Sequence, residues 1–305
     1  MIRDMVIRCN QITTDMPPPI RWTVLTSCRK LGCEVHGIDI GIPQPETVIA
    51  LIKKDVTEHR ILIFKNQHNI SPDKHVEISR WFGELESSTI SRHAKSPSDD
   101  ILRVSNDAKE GLYNVGRKGW HIDGSFFPKP YSHALYQMVH VPMDGDTVFV
   151  SLNDIVKGLS EEQLARFERL SVITTRPNII HPLIYSHPET NEKVLCIHMG
   201  FSQGFVWDKG TAQERNASKS ENNDIKNELN RQYMRDNKKI QYSHKWEVGD
   251  FIITDNLAVG HEAALSSQFP RSKVGLRVLH RVTVAGKTVP TKKYDLPQMQ
   301  KKDEL

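Results

Sequence analysis

The sequence predicts a mostly β fold, a sandwich or barrel, with helices on its flanks. Short runs rich in β-branched and aromatic residues dominate the chain after about residue 100, and turns such as Asp144-Gly145-Asp146 separate them. Helical patterns are few and mostly precede this region, whereas a parallel α/β fold alternates strands with helices throughout. No linker divides the 305 residues, so we predict one domain over residues 1–305.

The early elements are predicted from periodicity and capping. A helix is expected from Glu46 to Glu58, because apolar residues recur there at helical spacing, and the apolar run Ile61–Phe64 follows as a buried strand. The pair Ser71-Pro72 has the chemistry of a helix start. We expect that second helix to end at Gly83.

The later elements are six predicted strands and one helix between them. The helix begins after Ser160, where Gln163 completes a capping box. Its apolar stripe is Leu164, Phe167 and Leu170. The strands are expected at Ala134–Val141, Thr147–Leu152, Ser171–Thr175, Val194–His198, Phe251–Thr254 and Val274–Val284.

A polar insertion is expected over residues 209–239, which are rich in Asn, Lys and Glu. Its first half is predicted as a mobile loop and its second half as a short amphipathic helix with Ile225, Leu229 and Tyr233 on one face. Because loops beside a rigid barrel often close a site, we predict that this insertion is a lid. A solvated surface insertion is the alternative.

Composition excludes several classes of protein. Hydrophobic residues make up 38% and charged residues 26%, which is typical of a soluble globular chain and excludes disorder as the main state. No run approaches the ~18 apolar residues that span a bilayer, so no membrane association is expected. The net charge of +4 is spread along the chain, whereas nucleic-acid-binding proteins gather a basic face. We therefore expect no nucleic-acid partner.

A cytoplasmic location is predicted from the cysteines and the two ends. The four cysteines form no CxxC pair and are too few for a disulfide scaffold, which favours a reducing compartment. The polar residues 1–20 carry no secretory signal. The tail, residues 285–305, ends in Lys302-Asp303-Glu304-Leu305, an ER-retention tetrapeptide. That signal acts only inside the secretory pathway, so we expect a solvated tail.

The tripeptide His121-Ile122-Asp123 carries the clearest chemical signal. In an extended strand, residues i and i+2 point to the same face, so the imidazole and the carboxylate would converge. With a distant second histidine, for which His261 is the candidate, they would form the 2-His-1-carboxylate triad of non-haem iron(II) oxygenases. Taken alone, the tripeptide also fits a strand-end histidine beside a hydrogen-bonded aspartate.

Two arginines near the end of the chain point to an anionic ligand. Arg277 and Arg281 lie four apart on one predicted strand and therefore face the same side. A buried arginine inside a barrel needs an anion, and a bidentate pair with a carboxylate satisfies it. A structural salt bridge is the alternative for either residue.

With these motifs the sequence resembles the iron(II)/2-oxoglutarate-dependent dioxygenases of the taurine dioxygenase type, the TauD/TfdA family. The resemblance covers about residues 21 to 284, and the motifs appear in the family's order and at similar spacing. It implies a double-stranded β-helix (jelly roll) flanked by helices, with Fe(II), 2-oxoglutarate and O2 as cofactor and cosubstrates. The motifs are Trp81-Phe82-Gly83-Glu84-Leu85, Trp120-His121-Ile122-Asp123 with Ser125-Phe126, Gly145-Asp146-Thr147, His181-Pro182-Leu183, His187-Pro188-Glu189-Thr190, Gly200-Phe201, Gly249-Asp250, Asp255-Asn256, His261 and Leu279-His280-Arg281.

The resemblance also assigns residues to the metal and to the cosubstrate. His121, Asp123 and His261 match the iron ligands of the family. Thr147 matches the hydroxyl that bonds the far carboxylate of 2-oxoglutarate, and Arg277 matches the arginine that pairs with the same carboxylate.

The residues implied for the substrate differ from those of the taurine enzyme. Arg281 matches the position that reaches the anionic end of the substrate, whereas Arg117 replaces an asparagine that contacts the substrate there. The stretch 87–95 lacks the family's sulfonate-contacting histidine pattern, although Arg92 and His93 lie close by. A pocket lined by these side chains would suit a substrate with more than one carboxylate.

The function predicted from the sequence is oxidation of an unactivated C–H bond in a small carboxylate-bearing substrate, with release of succinate and CO2. We expect an amino-acid-derived substrate of specialised biosynthesis, and hydroxylation or ring closure as the outcome. Catabolic oxidation of a sulfonate or an aryloxyalkanoate is the first alternative. A non-catalytic anion-binding barrel would need a broken triad, and a nucleic-acid substrate would need a basic groove. Association into a homo-oligomer is left open.

Overall fold

The strand-rich part of the sequence folds into the jelly roll that the resemblance implies. The structure, a computed structural model, describes residues 21–24, 31–86, 92–116, 119–235 and 240–292, with backbone alone for the first four. The predicted entry segment 1–20, Arg117 and the tetrapeptide Lys302–Leu305 lie outside the described residues. The cytoplasmic location stays a prediction.

Helices and strands follow the predicted order, with additional short strands. The helices are α1 (Glu46–His59), α2 (Pro72–Arg80), α3 (Leu152–Lys157), α4 (Glu161–Glu168), α5 (Lys219–Tyr233) and α6 (Arg271–Val274). The strands are β1 (Arg21–Val24), β2 (Cys33–His36), β3 (Ile61–Phe64), β4 (Leu102–Ser105), β5 (His133–His140), β6 (Thr147–Ser151), β7 (Leu170–Thr174), β8 (Ile180–Pro182), β9 (Ile184–Ser186), β10 (Lys193–Leu195), β11 (Ser202–Trp207), β12 (Arg215–Asn216), β13 (Gln241–His244), β14 (Phe251–Asp255), β15 (Val259–Ala263) and β16 (Val278–Val284).

Two sheets enclose the central core. The larger has the strand order β1-β2-β3-β14-β5-β16-β4 and is antiparallel except for the β2–β3 pair, and the smaller has the order β13-β6-β15. Alternating side chains from both sheets meet between them: Tyr136 and Ile252 come from the larger sheet, and Phe149 and Val259 come from the smaller one. Tyr136 and Phe149 of this core lie against the ring of His261, one of the predicted ligands.

Helices cover the outer faces. Helices α1 and α2 bury Val48, Ile52 and Ile78 against the far side of the larger sheet. Another sheet, with the order β12-β11-β7-β8, shares a second core with α3, α4 and α5. In the ranges that the structure covers, no helix combines the length and the apolar character needed to cross a membrane. Cys33 and Cys196 are free thiols in the interior.

The predicted helix starts are confirmed where side-chain caps define them. Ser71 accepts a hydrogen bond from Lys74 N–H at 3.2 Å at the start of α2. Ser160 and Gln163 form the reciprocal capping box of α4. The prediction that Leu170 continues the stripe of that helix is wrong, because α4 ends at Glu168 and Leu170 opens β7.

The strand predicted over Val274–Val284 is wrong at its start. The Asn106 side chain bonds the Gly275 carbonyl at 3.0 Å and the Arg277 N–H at 2.9 Å, which takes up backbone groups that a neighbouring strand would use. The chain therefore forms α6 first, and β16 begins only at Val278. Arg277 precedes the strand that holds Arg281 instead of sharing it.

The insertion over residues 209–239 divides into an exposed turn and an anchored helix. Residues 209–216 are exposed. The amphipathic helix is confirmed as α5, and Ile225, Leu229 and Tyr233 are each 0% exposed. Tyr233 stacks on Trp120 with ring centroids 5.2 Å apart. The lid role of residues 209–239 stays a prediction.

Candidate metal centre

Backbone pairing brings the two predicted histidine ligands together. His121 N–H donates to the His261 carbonyl at 3.2 Å, and His261 N–H donates to the His121 carbonyl at 2.9 Å. On the other side, Ile122 N–H donates to the Ile197 carbonyl at 3.2 Å. The segment is thus a bridge between two elements rather than the regular strand that the sequence predicts.

A turn directly after the bridge aims Asp123 back at the histidines. Gly124 has a φ of +74°, and a Cβ there would lie 2.8 Å from the Tyr131 ring, so the turn requires glycine. The Asn256 side chain holds this turn through hydrogen bonds. Its Oδ1 accepts from Asp123 N–H at 2.8 Å, and its Nδ2 donates to the carbonyls of Asp123 at 2.9 Å and Tyr131 at 2.7 Å.

The three predicted ligands converge in the interior. One ligand atom from each of His121, Asp123 and His261 lies within 4.8 Å of the others, and all three residues are buried. His121 Nε2 is 3.9 Å from Asp123 Oδ1, and His261 Nε2 is 3.6 Å from Oδ2. Asp123 Oδ2 has no hydrogen-bond partner in the described part of the chain. Because a buried carboxylate oxygen without a partner is costly, this donor set fits a divalent cation.

Both imidazoles are in the form that binds a metal. His121 Nδ1 lies 2.8 Å from the Gly119 carbonyl, so it carries the proton and leaves the Nε2 lone pair free. Burial lowers the pKa of His121, and burial together with the neighbouring His121 lowers the pKa of His261 to about 3. The two rings are therefore neutral at physiological pH.

Asp123 is a carboxylate although it is buried. Burial alone raises its pKa, but Arg281 and the nearby histidines overcome that effect and lower it to about 2. The closest cation is the Arg281 guanidinium, whose Nη1 lies 2.7 Å from Asp123 Oδ1. Arg281 thus contacts a predicted metal ligand.

Thr147 and Arg277 come together where β6 begins. Arg277 is only 2% exposed, its Nε donates to the Gly145 carbonyl at 3.1 Å, and Thr147 follows two residues after that glycine. Gly145 has a φ of +141°, and a Cβ there would lie 3.2 Å from Arg277 Cδ. Trp246 Nε1 donates to Thr147 Oγ1 at 3.1 Å. The predicted cosubstrate residues therefore both lie at the turn that contains Gly145.

The Arg277 guanidinium forms no ion pair with a described residue. Burial lowers its pKa to about 10 against the opposing charge of Asp146, which still leaves it cationic at neutral pH. No carboxylate of the described residues lies within 4.0 Å of it. A buried arginine without a carboxylate partner fits the far carboxylate of 2-oxoglutarate.

The four predicted substrate residues are not gathered into one pocket by the contacts that the structure shows. Arg281 contacts the triad, as described above. Arg92 pairs with Asp99, and both ring nitrogens of His93 bond to backbone groups. Arg117 lies outside the described residues. Their roles in substrate binding stay predictions.

Two side chains that the sequence analysis missed contact the triad. The His198 ring stacks on His121 with centroids 4.4 Å apart, and its Nδ1 is buried without a partner among the residues described. Tyr136 Oη lies 3.4 Å from His261 Nε2. Neither carries a local signal, because a histidine or tyrosine within an apolar run is typical of any core. Only the pairing of distant segments reveals them.

Comparison with protein families identifies the class of this site. The family model described as "Taurine catabolism dioxygenase TauD, TfdA family" matches residues 24–283. The chain belongs to this family. It is an Fe(II)- and 2-oxoglutarate-dependent dioxygenase, and His121, Asp123 and His261 are its candidate iron ligands.

Several characterised proteins are similar to the chain. It is 28% identical to the alpha-ketoglutarate-dependent sulfonate dioxygenase of Saccharomyces cerevisiae over 82% of this chain and 64% of that protein, so it spans less than two thirds of that relative. It is 26% identical to the alpha-ketoglutarate-dependent 2,4-dichlorophenoxyacetate dioxygenase of Cupriavidus pinatubonensis, over 74% of this chain and 86% of that protein. It is 23% identical to the pentalenolactone F synthase of Streptomyces arenae, over 76% and 86%.

Solved structures show the same fold. A taurine dioxygenase from Burkholderia xenovorans has a TM-score of 0.71 at 24% identity and covers 89% of this chain and 93% of its own. AAD-2, in complex with Mn(II) and N-oxalylglycine, has a TM-score of 0.72 at 20% identity and covers 90% of this chain and 100% of its own. The jelly-roll prediction is confirmed.

Proposed function

We propose that this dioxygenase oxidises an unactivated C–H bond of a small carboxylate-bearing anion and releases succinate and CO2. The observation that carries the proposal is the unsatisfied Asp123 Oδ2 between two neutral imidazoles, together with the buried Arg277, which no carboxylate of the described residues pairs with. The first feature fits a divalent iron, and the second fits a dicarboxylate cosubstrate.

The chain's own residues hold and orient the reactants. When bound, Fe(II), 2-oxoglutarate and O2 supply the oxidising power for C–H cleavage. His121, Asp123 and His261 would hold the metal. Arg277 and Thr147 would fix the far carboxylate of 2-oxoglutarate. The burial of all five residues keeps bulk water away from the reaction.

An amino-acid-derived carboxylate of specialised biosynthesis is our first candidate substrate, with hydroxylation or ring closure as the outcome. The relation to a pentalenolactone F synthase supports a biosynthetic role. A second candidate is catabolic oxidation of a sulfonate or an aryloxyalkanoate. The names of the yeast and Cupriavidus relatives favour it, because both specify such anions.

Succinate release tests the proposal. Anaerobically purified protein would receive Fe(II), ascorbate and 2-oxoglutarate, then O2, with a panel of sulfonates, aryloxy acids and mono-, di- and tricarboxylic amino acids. We expect succinate to rise with an anion of the panel and to stay at background in Asp123→Ala. A rise with amino acids supports the first candidate, and a rise with sulfonates or aryloxy acids supports the second. Background succinate with every anion would contradict the proposal.

A further inference from the structure

We propose that Arg176 binds the anionic end of the substrate, at the outer end of a row of aromatic rings that begins at the iron ligand His121. The inference rests on the proposed function, since it names the anchor for the anion that this oxygenase would hold. Nothing in the sequence pointed to Arg176. Its placement in the fold carries the argument.

The aromatic row consists of His198, Phe126 and Phe127. His198 stacks on His121 at 4.4 Å, Phe126 lies 6.3 Å from His198, and Phe127 lies 5.0 Å from Phe126, all between ring centroids. His198 is buried, whereas both phenylalanines are half-buried. The row therefore leads from the buried metal ligands toward the surface.

Arg176 lies at the outer end of this row. Its Cζ is 4.0 Å from the ring centroid of Phe127 and 5.4 Å from that of Phe126. A guanidinium held over aromatic rings is ordered by them and keeps N–H groups for a planar anion. Within the described parts of the chain, no carboxylate lies within 4.0 Å of this guanidinium.

Two other arginines near the site, Arg281 and Arg277, already have partners. Arg281 pairs with Asp123 at 2.7 Å, so its charge is already balanced by a metal ligand. Arg277 bonds the Gly145 carbonyl, and we assign its side chain to 2-oxoglutarate. A substrate anion that reached either one would compete with the metal centre or the cosubstrate. Arg176 is free of that conflict.

Tyr131 connects Arg176 electrostatically to the metal centre. Its ring lies 5.6 Å from Phe127. Burial raises the pKa of its hydroxyl, the Arg281 and Arg176 charges oppose that rise, and Asp123 adds to it. The hydroxyl therefore lies within the electric fields of both Asp123 and Arg176.

The row also defines the chemistry of the substrate. Aromatic rings separate the metal ligands from the anchor, and Phe201 adds another face, 5.3 Å from Phe126. A molecule that spans this distance would place an apolar body on the rings and its anion at Arg176. We therefore expect an alkyl or aryl chain that ends in a carboxylate, sulfate or sulfonate.

Binding to an inert complex tests the anchor without turnover. Protein loaded with Mn(II) and N-oxalylglycine would be titrated by calorimetry with 2,4-dichlorophenoxyacetate, hexanesulfonate and hexyl sulfate, and with the neutral 2-(2,4-dichlorophenoxy)ethanol and 1-hexanol. For the bound anion, we expect Arg176→Gln to raise Kd about tenfold or more, which is ~1.4 kcal/mol. We expect Arg176→Lys to raise it less, and the Kd of the neutral alcohol to stay the same.

Arg169→Gln is the charge control. Arg169 also lies over an aromatic ring, with its Cζ 5.4 Å from the Trp207 centroid, but at the opposite end of β7 and paired with Asp208 at 2.6 Å. The variant removes the same charge, and we expect the Kd of the anion to stay within about twofold of the wild-type value. An equal loss in both variants would mean a general charge effect and would overturn the assignment.

The outcomes separate this inference from the proposed function. An unchanged anion Kd in Arg176→Gln overturns the anchor and leaves the oxygenase standing. A weakened Kd without succinate from the iron-loaded enzyme supports the anchor and contradicts the proposed reaction. Wild-type protein that binds none of the three anions contradicts the anchor and the alkyl or aryl substrate class, while succinate with another anion would still support the proposed function.

Discussion

His121 and His261 are joined twice, through their backbones and through their side chains. Each residue donates its N–H to the carbonyl of the other, at 3.2 and 2.9 Å, and the ring centroids lie 4.2 Å apart. The distance between the two candidate ligands is therefore set by a backbone bridge instead of by flexible side chains. The ligand nitrogens of His121 and His261 are therefore positioned before a metal binds.

Removal of a triad residue should abolish metal-dependent activity and leave the fold. In His121→Ala or Asp123→Ala we expect the loss of Mn(II) binding, measured by calorimetry, and the loss of succinate above background. The circular dichroism spectrum should match that of the wild type, because the backbone bridge does not need either side chain. Normal turnover in either variant would refute the triad.

Asn256 is expected to act as a positioning residue for Asp123. The variant Asn256→Ala leaves the N–H and carbonyl of Asp123 without their side-chain partner. We expect metal affinity to fall about 10- to 100-fold and the free energy of unfolding to fall by about 2 kcal/mol. Asn106→Ala removes a comparable buried amide away from the triad. It should lower stability and leave metal affinity unchanged, and an equal loss of metal affinity there would contradict the positioning role.

Arg277 should determine the requirement for 2-oxoglutarate. We expect Arg277→Ala to raise the KM for 2-oxoglutarate about 10- to 100-fold, because a charge-assisted pair with a carboxylate is lost. Arg277→Lys should recover part of the affinity. Initial rates at varied 2-oxoglutarate would measure this, and an unchanged KM would move the anchor to Arg281 or elsewhere.

A buried cluster of Lys65, His244 and Asp250 should make the free energy of unfolding depend on pH. Lys65 Nζ lies 2.5 Å from Asp250 Oδ1, and His244 Nε2 lies 3.0 Å from Oδ2. Burial raises the pKa of Asp250, but its bonds to His244 and Lys65 outweigh burial, so the pKa is lowered overall. Burial lowers the pKa of Lys65, but its bonds to Asp250 and Glu247 outweigh burial, so this pKa is raised overall.

The signs of these shifts define the expected pH profile. The contribution of Asp250 is complete above its unfolded pKa of about 3.9 and is lost as the pH falls through the lower folded value. The contribution of Lys65 is complete below about 10.4 and is lost as the pH rises through the higher folded value. Urea unfolding across pH should show both losses. Asp250→Asn should flatten both, and a profile as steep as that of the wild type would contradict the assignment.

The hydroxyl of Tyr233 is expected to contribute nothing to stability. It is buried without a hydrogen-bond partner among the described residues, whereas the ring stacks on Trp120. We expect Tyr233→Phe to leave the free energy of unfolding unchanged or to raise it by about 1 kcal/mol. Tyr233→Ala should cost about 3–5 kcal/mol. Thermal unfolding would distinguish them, and a clear loss in Tyr233→Phe would reveal a missing partner.

Local patterns were enough to predict most elements of the fold. Capping chemistry located the starts of α2 and α4, because Ser71 and Ser160 act on their own neighbours. The same patterns failed at Arg277, where the decisive contact comes from Asn106, far away in sequence. A strand end that depends on a distant amide leaves no mark in its own residues.

The candidate site was predicted through motifs, and its surroundings were not. His121, Asp123 and His261 stand in recognisable sequence contexts, and the structure brings them together. The contacts of His198 and Arg176 depend on how the segment after β10 and the end of β7 fold over the triad. Spacing along the chain does not predict these contacts, so neither His198 nor Arg176 could be identified as a site residue from the sequence.

The backbone bridge at His121 has a consequence for the fate of the protein in a cell. A metal held by His121, Asp123 and His261 would link the segment 121–123 to β15. Any ligand that binds only the folded state adds to the stability of that state. Scarcity of iron would thus populate open forms that proteases recognise. The amount of enzyme, and not only its turnover, would then follow the supply of iron.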